Sequence, residues 1–167
     1  MNYKYTPTSK AELKKAINKE IDIQGTKADL NCIDTSLVTD MSYMFFHTKF
    51  NGDISGWDVS NVTDMGFMFK SSVFNGDISE WNVSGVTKMD SMFNESKFNG
   101  DISKWDVSRV VDMCCMFFAS EFNNNISNWD VSVNCNIEGM YDNCKIKPYF
   151  KHNYVDLGKN IDINDLY

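Results

Sequence analysis

Apolar residues recur along this chain with a period far longer than that of a helix or a strand. Phe50, Phe74, Phe98 and Phe122 stand 24 residues apart, and so do Trp57, Trp81, Trp105 and Trp129, the only tryptophans in the 167 residues. Other apolar columns share this register: in the unit from Phe50 they are Phe50, Ile54, Trp57, Val59, Val62, Met65, Met68 and Phe69. A fixed period of this length marks an array of coils, each unable to bury its apolar face without neighbours. Within a unit two shorter periods coexist. Trp57-Asp58-Val59-Ser60 alternates apolar and polar as a half-buried strand does. Val62, Met65, Met68 and Phe69 have the spacing of a short helical turn, with Ser60 or Thr63 to cap it. Asn51-Gly52-Asp53 and its counterparts at 75–77 and 99–101 read as turns.

These patterns divide the chain into a helical segment over 1–25, a repeat region over 26–145 and a tail over 146–167. The coils fall near 26–49, 50–73, 74–97, 98–121 and 122–145. In the first segment Thr8 or Ser9 caps a helix, Ser9 and Glu12 have capping-box spacing, and Gly25 stops it. Leu13, Ala16 and Ile17 form its apolar face, with Lys14, Lys15 and Lys19 on the other side. Its expected role is to cover the open N-terminal end of the array. The terminal coils are degenerate, with Thr26 and Thr35 in the first and Asn134 in the last at apolar columns. After Cys144 the repeat is lost, and Tyr149, Phe150, Tyr154, Val155 and Leu157 are expected to cover the last coil.

Composition narrows the chemistry. No apolar run approaches the roughly 18 residues of a membrane span, and no export-signal pattern stands at the N-terminus, so the expectation is a cytosolic protein with no membrane insertion. Five cysteines, an odd number that does not recur with the repeat, with no C-x-x-C pair, fit free thiols rather than a disulfide framework or a zinc site. The net charge of −7 is uneven: residues 1–27 carry six Lys against three acidic residues, and residues 28–167 carry ten basic against twenty acidic ones. An acidic body argues against direct nucleic-acid binding. It suits a basic protein partner, mimicry of nucleic acid, or solubility.

V-T-D-M-x-x-M-F followed by F-N-G-D-I-S-x-W-D-V-S resembles the BspA-like class of bacterial leucine-rich repeats. It is closer still to the 25-residue surface-protein repeats of the mycoplasma and listerial lipoprotein type. The resemblance covers roughly residues 8–141. It implies an α/β solenoid: right-handed, leucine-rich-repeat-like, about five 24-residue coils, a parallel sheet on one face and short helical turns on the other. It also implies a non-enzymatic interaction or adhesion module, often on cell surfaces, with no catalytic residues and no cofactor to carry over.

If Trp57 and Val59 point inward, their neighbours point to solvent. That places Asp34, Asp58, Asn82, Asp106 and Asp130 in one column on the expected sheet face, beside a second column containing Glu80 and Lys104. Stacked carboxylates ~5 Å apart repel by roughly 1 kcal/mol per pair even at water-like dielectric. Asn82, Lys104, backbone donors, a cation or a basic partner are the candidates to offset this. Asp53, Asp77, Asp101 and Asn125 read as turn residues, and Ser36, Ser60, Ser84, Ser108 and Ser132 as a hydrogen-bonded or capping series. His47 and His152 lie outside the strand columns, so no Ser-His-Asp arrangement is expected. The tryptophans read as core rather than as a carbohydrate platform. The functional expectation is a protein-protein interaction module that binds through the acidic sheet face and irregular loops. The alternative is a small intracellular acidic inhibitor or nucleic-acid mimic, of viral or mobile-element origin, acting on a basic host protein.

Overall fold

The computed structural model describes residues 3–146. Among them there is one helix, α1 (Lys10–Gln24), and no strand longer than an isolated bridge. The expected segments at 147–167 lie outside the described residues.

The helix forms where its capping signals stand. Ser9 has extended backbone, and its side chain accepts from the Glu12 amide. The Glu12 carboxylate reaches one residue further back than a capping box requires, to the Thr8 amide (2.8 Å) and hydroxyl (3.0 Å). Gly25, at φ 80°, ends the helix and donates to the Ile21 carbonyl. Leu13, Ala16 and Ile17 are buried, and so is Glu20 on the same face. Lys14 departs from the expected outer face, since its ammonium donates to the Met44 carbonyl of the first coil.

The apolar columns form the core. All eight positions from Phe50 to Phe69, and their counterparts in the next two units, are almost wholly buried. Rings stack on rings one unit away: Phe50 on Phe74 at 6.1 Å, Phe74 on Phe98 at 6.3 Å and Phe45 on Phe69 at 5.5 Å between centroids. Each tryptophan Nε1 donates into the preceding unit, Trp57 to the Leu30 carbonyl (3.1 Å) and Trp81 to that of Ile54 (3.2 Å). At Thr35, in a Val column, the hydroxyl donates to the Asp58 carbonyl, which makes a polar residue tolerable in the core.

The α/β solenoid with a parallel sheet and helical turns is overturned. Among the described residues there is no sheet, only six isolated parallel bridges, such as Asp40 with Asp64, Asp64 with Lys88 and Lys88 with Asp112. The hydrogen bonds explain this. Along 65–72 the amides of Met65, Phe67, Phe69 and Ser71 donate to carbonyls of the next unit. The amides of Met68, Lys70 and Ser72 instead close turns three residues back in their own unit. Half of the donors are consumed locally, so no continuous ladder forms. The turns are not helical either. In alternate turns the third position lies in the left-handed region, at Phe67 (φ 59°) and Ser71 (φ 52°), and the same holds at Tyr43, Ser91, Glu95, Cys115 and Ala119. Helical spacing of Val62, Met65, Met68 and Phe69 is thus met by overlapping β-turns.

The Trp57-Asp58-Val59-Ser60 segment is not a strand. It is bounded by turns closed by the amides of Trp57 and Val62, which donate to Ile54 and Val59 respectively. Nor is Asn51-Gly52-Asp53 a turn. The asparagines are rungs, each Oδ1 accepting the amide of its counterpart 24 residues on: Asn51 from Asn75 (3.0 Å) and Asn75 from Asn99 (2.7 Å). Gly52 is required by close approach, because a Cβ there would lie 2.0 Å from the Ala28 carbonyl oxygen.

Candidate functional site

The carboxylate column exists, but Asp34, Asp58 and Asp106 close turns instead of standing on a sheet. Asp58 Oδ1 accepts from the Ser60 amide (3.0 Å) and hydroxyl (2.6 Å), and Asp106 does the same with Ser108 (3.1 and 2.6 Å). Asn82 makes this pair of bonds with Ser84 through its amide oxygen. Asp34 accepts only the Ser36 amide, and Asp130 is exposed without the equivalent bond. The serine series therefore serves its own coil, one coil at a time. The serine hydroxyl first, and then its amide, hold the Asp58 and Asp106 carboxyls below the usual range. Both are ionised at neutral pH and point to water. Glu80 and Lys104 form an exposed pair at 3.5 Å one column away, worth little energetically. The structure thus brings Asp58, Asn82 and Asp106 into one exposed column, with Glu80 and Lys104 beside it.

The second acidic series also closes turns: Asp53, Asp77, Asp101 and Asn125 accept the amides of Ser55, Ser79, Ser103 and Ser127. Backbone donation lowers the first three carboxyls.

Sequence reasoning missed three features. Glu20 is 2% exposed and accepts from Lys4 Nζ, Tyr5 Oη and Gln24 Nε2. Those bonds, the Lys4 one foremost, pull its carboxyl down to about 2. The pattern Lys4-Tyr5 before an apolar helix face carried no motif to signal this. The second feature is an exposed aromatic group on the overlapping turns: Tyr43 stacks on Phe67 at 4.6 Å and meets Phe46 edge-on at 5.8 Å. Third, Cys114 Sγ lies 3.6 Å from Cys115 Sγ. Burial above all pushes the Cys114 and Cys135 thiols up to about 11, so both stay protonated at neutral pH and are poor nucleophiles. Among the described residues no group of three or more His, Cys, Asp or Glu side chains could hold a metal ion, and no helix is long and apolar enough to cross a membrane.

A family model described as "Mycoplasma protein of unknown function, DUF285" matches residues 12–97 and again 71–154. No curated protein and no solved structure matches this chain.

Proposed function

The chain belongs to the DUF285 family, and from that premise we propose that it is a non-enzymatic protein-interaction module whose exposed acidic column takes a basic protein partner. One observation carries the reading: Asp58 and Asp106 are held ionised by donors of their own coil, leaving their outer oxygens free for a cationic partner. The excess of ten acidic charges over residues 28–167 draws such a partner from a distance. The likeness of the V-T-D-M-x-x-M-F repeat to BspA-like surface proteins supports adhesion as the biological setting.

Asn82 supplies the clean perturbation. It makes the same turn bonds as its aspartate counterparts without charge, so Asp58→Asn, Asp106→Asn and Asp130→Asn together remove charge and keep the turns. Proteins captured from a cell lysate by the native chain are identified, and each is titrated against the native and triple-variant proteins. The reading requires basic partners whose affinity falls at least about tenfold in the variant, at unchanged melting temperature. Equal binding by the variant overturns it. Competition by duplex DNA for the same partner would point to the nucleic-acid mimic instead.

A further inference from the structure

The overlapping turns stack into a ridge along one side of the molecule. Tyr43, Phe67, Ser91 and Cys115 share a column, because each donates its amide to the coil that follows: to the carbonyls of Gly66, Asp90, Cys114 and Glu138. This ridge is polarised in both shape and charge. At the helix end it is high, aromatic and basic: Tyr43 is 49% exposed and Phe46 43%. Lys10, paired to Asp40 at 3.1 Å, lies over the Tyr43 ring at 5.8 Å, Lys70 lies over Phe67 at 5.6 Å, and Lys14 sits alongside. Towards the other end the column shrinks to Ser91, Cys115 and Gly139, so the surface is lower. Acidic groups crowd that lower half, with half-buried Asp90 and exposed Glu95, Glu138 and Asp142. Lys88, in the adjacent column, is paired to Asp64 of the second coil at 3.8 Å, and Lys97 and Lys145 lie outside these columns and are both paired to Glu121.

A surface that is high and basic at one end and low and acidic at the other is complementary to itself turned around. We propose that the ridge is a self-association surface on which a second copy of this chain docks antiparallel, about a two-fold axis between the second and third coils. Such an interface is isologous, each contact occurring twice. The second coil of one copy faces the third of the other, setting Lys70 against Glu95 of the second copy. The first coil faces the fourth, setting Tyr43 and Phe46 over Cys115 and Phe118 of the second copy. Helix α1 faces the fifth coil, bringing Lys10 towards Glu138 and Asp142 of the second copy. Five coils at ~4.8 Å give a ridge about 24 Å long, at the small end of specific interfaces. The dimer is therefore weak, micromolar rather than nanomolar, and salt-sensitive. The ridge uses a different segment of each coil from the Asp58 column, so this inference stands apart from the proposed partner site.

Sedimentation equilibrium of the full chain, from about 5 to 500 µM, tests it at low and high salt. The expected result is a monomer–dimer equilibrium that weakens roughly tenfold between 50 and 500 mM salt. Lys70→Glu and Glu95→Lys should each weaken it by at least about tenfold, and an equimolar mixture of the two variants should restore it, since both crossed contacts become attractive. Circular dichroism of each variant checks the fold, and the mixing result separates lost association from lost structure. A monomer at 500 µM in low salt, single variants that dimerise normally, or a mixture that fails to recover would each overturn the proposal.

Discussion

Gly52→Ala should be among the most damaging single-methyl additions in the molecule. The added Cβ would lie 2.0 Å from the Ala28 carbonyl oxygen, 2.8 Å from the Phe50 ring and 2.9 Å from the Ala28 nitrogen, where ordinary contact begins near 3.4 Å. The first and third of these neighbours are backbone, so no rotamer change relieves them, and the two segments must part by more than 1 Å. That separation strains the bonds that join them: Asn51 N–H to Thr26 O (2.8 Å), Asp53 N–H to Ala28 O (3.0 Å) and Leu30 N–H to Asp53 O (2.9 Å). Overpacking costs about 1–3 kcal/mol, and each weakened backbone bond adds about 0.5–1.5 kcal/mol. With three such bonds the sum expected is about 2.5–7.5 kcal/mol. Gly25→Ala is the control: nothing lies within 4 Å of its Cβ position, but its φ is 80°, so the cost should be about 1–2 kcal/mol. Urea denaturation followed by tryptophan fluorescence reads both values from the midpoint and slope. A Gly52→Ala variant within 1 kcal/mol of the native protein would refute the close stacking of the first two coils.

Two further outcomes follow from the packing. Trp81→Ala removes a buried indole and its bond to Ile54 O, and should cost about 3–5 kcal/mol; Trp129→Ala, nearer the end of the repeat, should cost less in the same denaturation assay, because coils depend on their neighbours. Glu20 has its folded-state pKa lowered from 4.5 to about 2, so its contribution is fully present above the unfolded value and is lost as pH falls through about 4.5 towards 2. Glu20→Gln should therefore flatten the fall in stability between about pH 5 and pH 2, as measured by urea denaturation at each pH.

The 24-residue register was legible because burial repeats it: Phe, Ile, Trp, Val and Met at fixed columns are the core, and no local conformation can hide that. The helix was legible too, since Ser9, Leu13, Ala16, Ile17 and Gly25 carry its cap, face and stop. Local geometry was not. Trp57-Asp58-Val59-Ser60 alternates like a strand, yet Asp58 and Ser60 bond to each other across a turn. The Met65–Phe69 spacing looks helical because overlapping three-residue closures also bring every third residue to one side. The warning sign was faint: Gly139 shares the column of Tyr43, Phe67, Ser91 and Cys115, and Asn143 that of His47, Ser71, Glu95 and Ala119. Glycine and asparagine tolerate positive φ, and the other residues in those columns adopt it at a cost that the stacked core offsets. The exposed aspartates were found by alternation alone, which places side chains in or out correctly even where the segment is not a strand.

Whether the Trp-Asp-Val-Ser segments are paired strands or isolated turns decides what surface Asp58 and Asp106 present, and amide hydrogen exchange by NMR answers it. The account places the protected amides on the overlapping turns, at Phe67, Phe69, Ser91 and Phe93, which donate to carbonyls of the next coil. It places fast exchange at Asp58, Val59, Asn82 and Val83, whose amides have no partner among the described residues. Slow exchange at those four amides, as a parallel sheet would give, together with fast exchange on the turns, would contradict it.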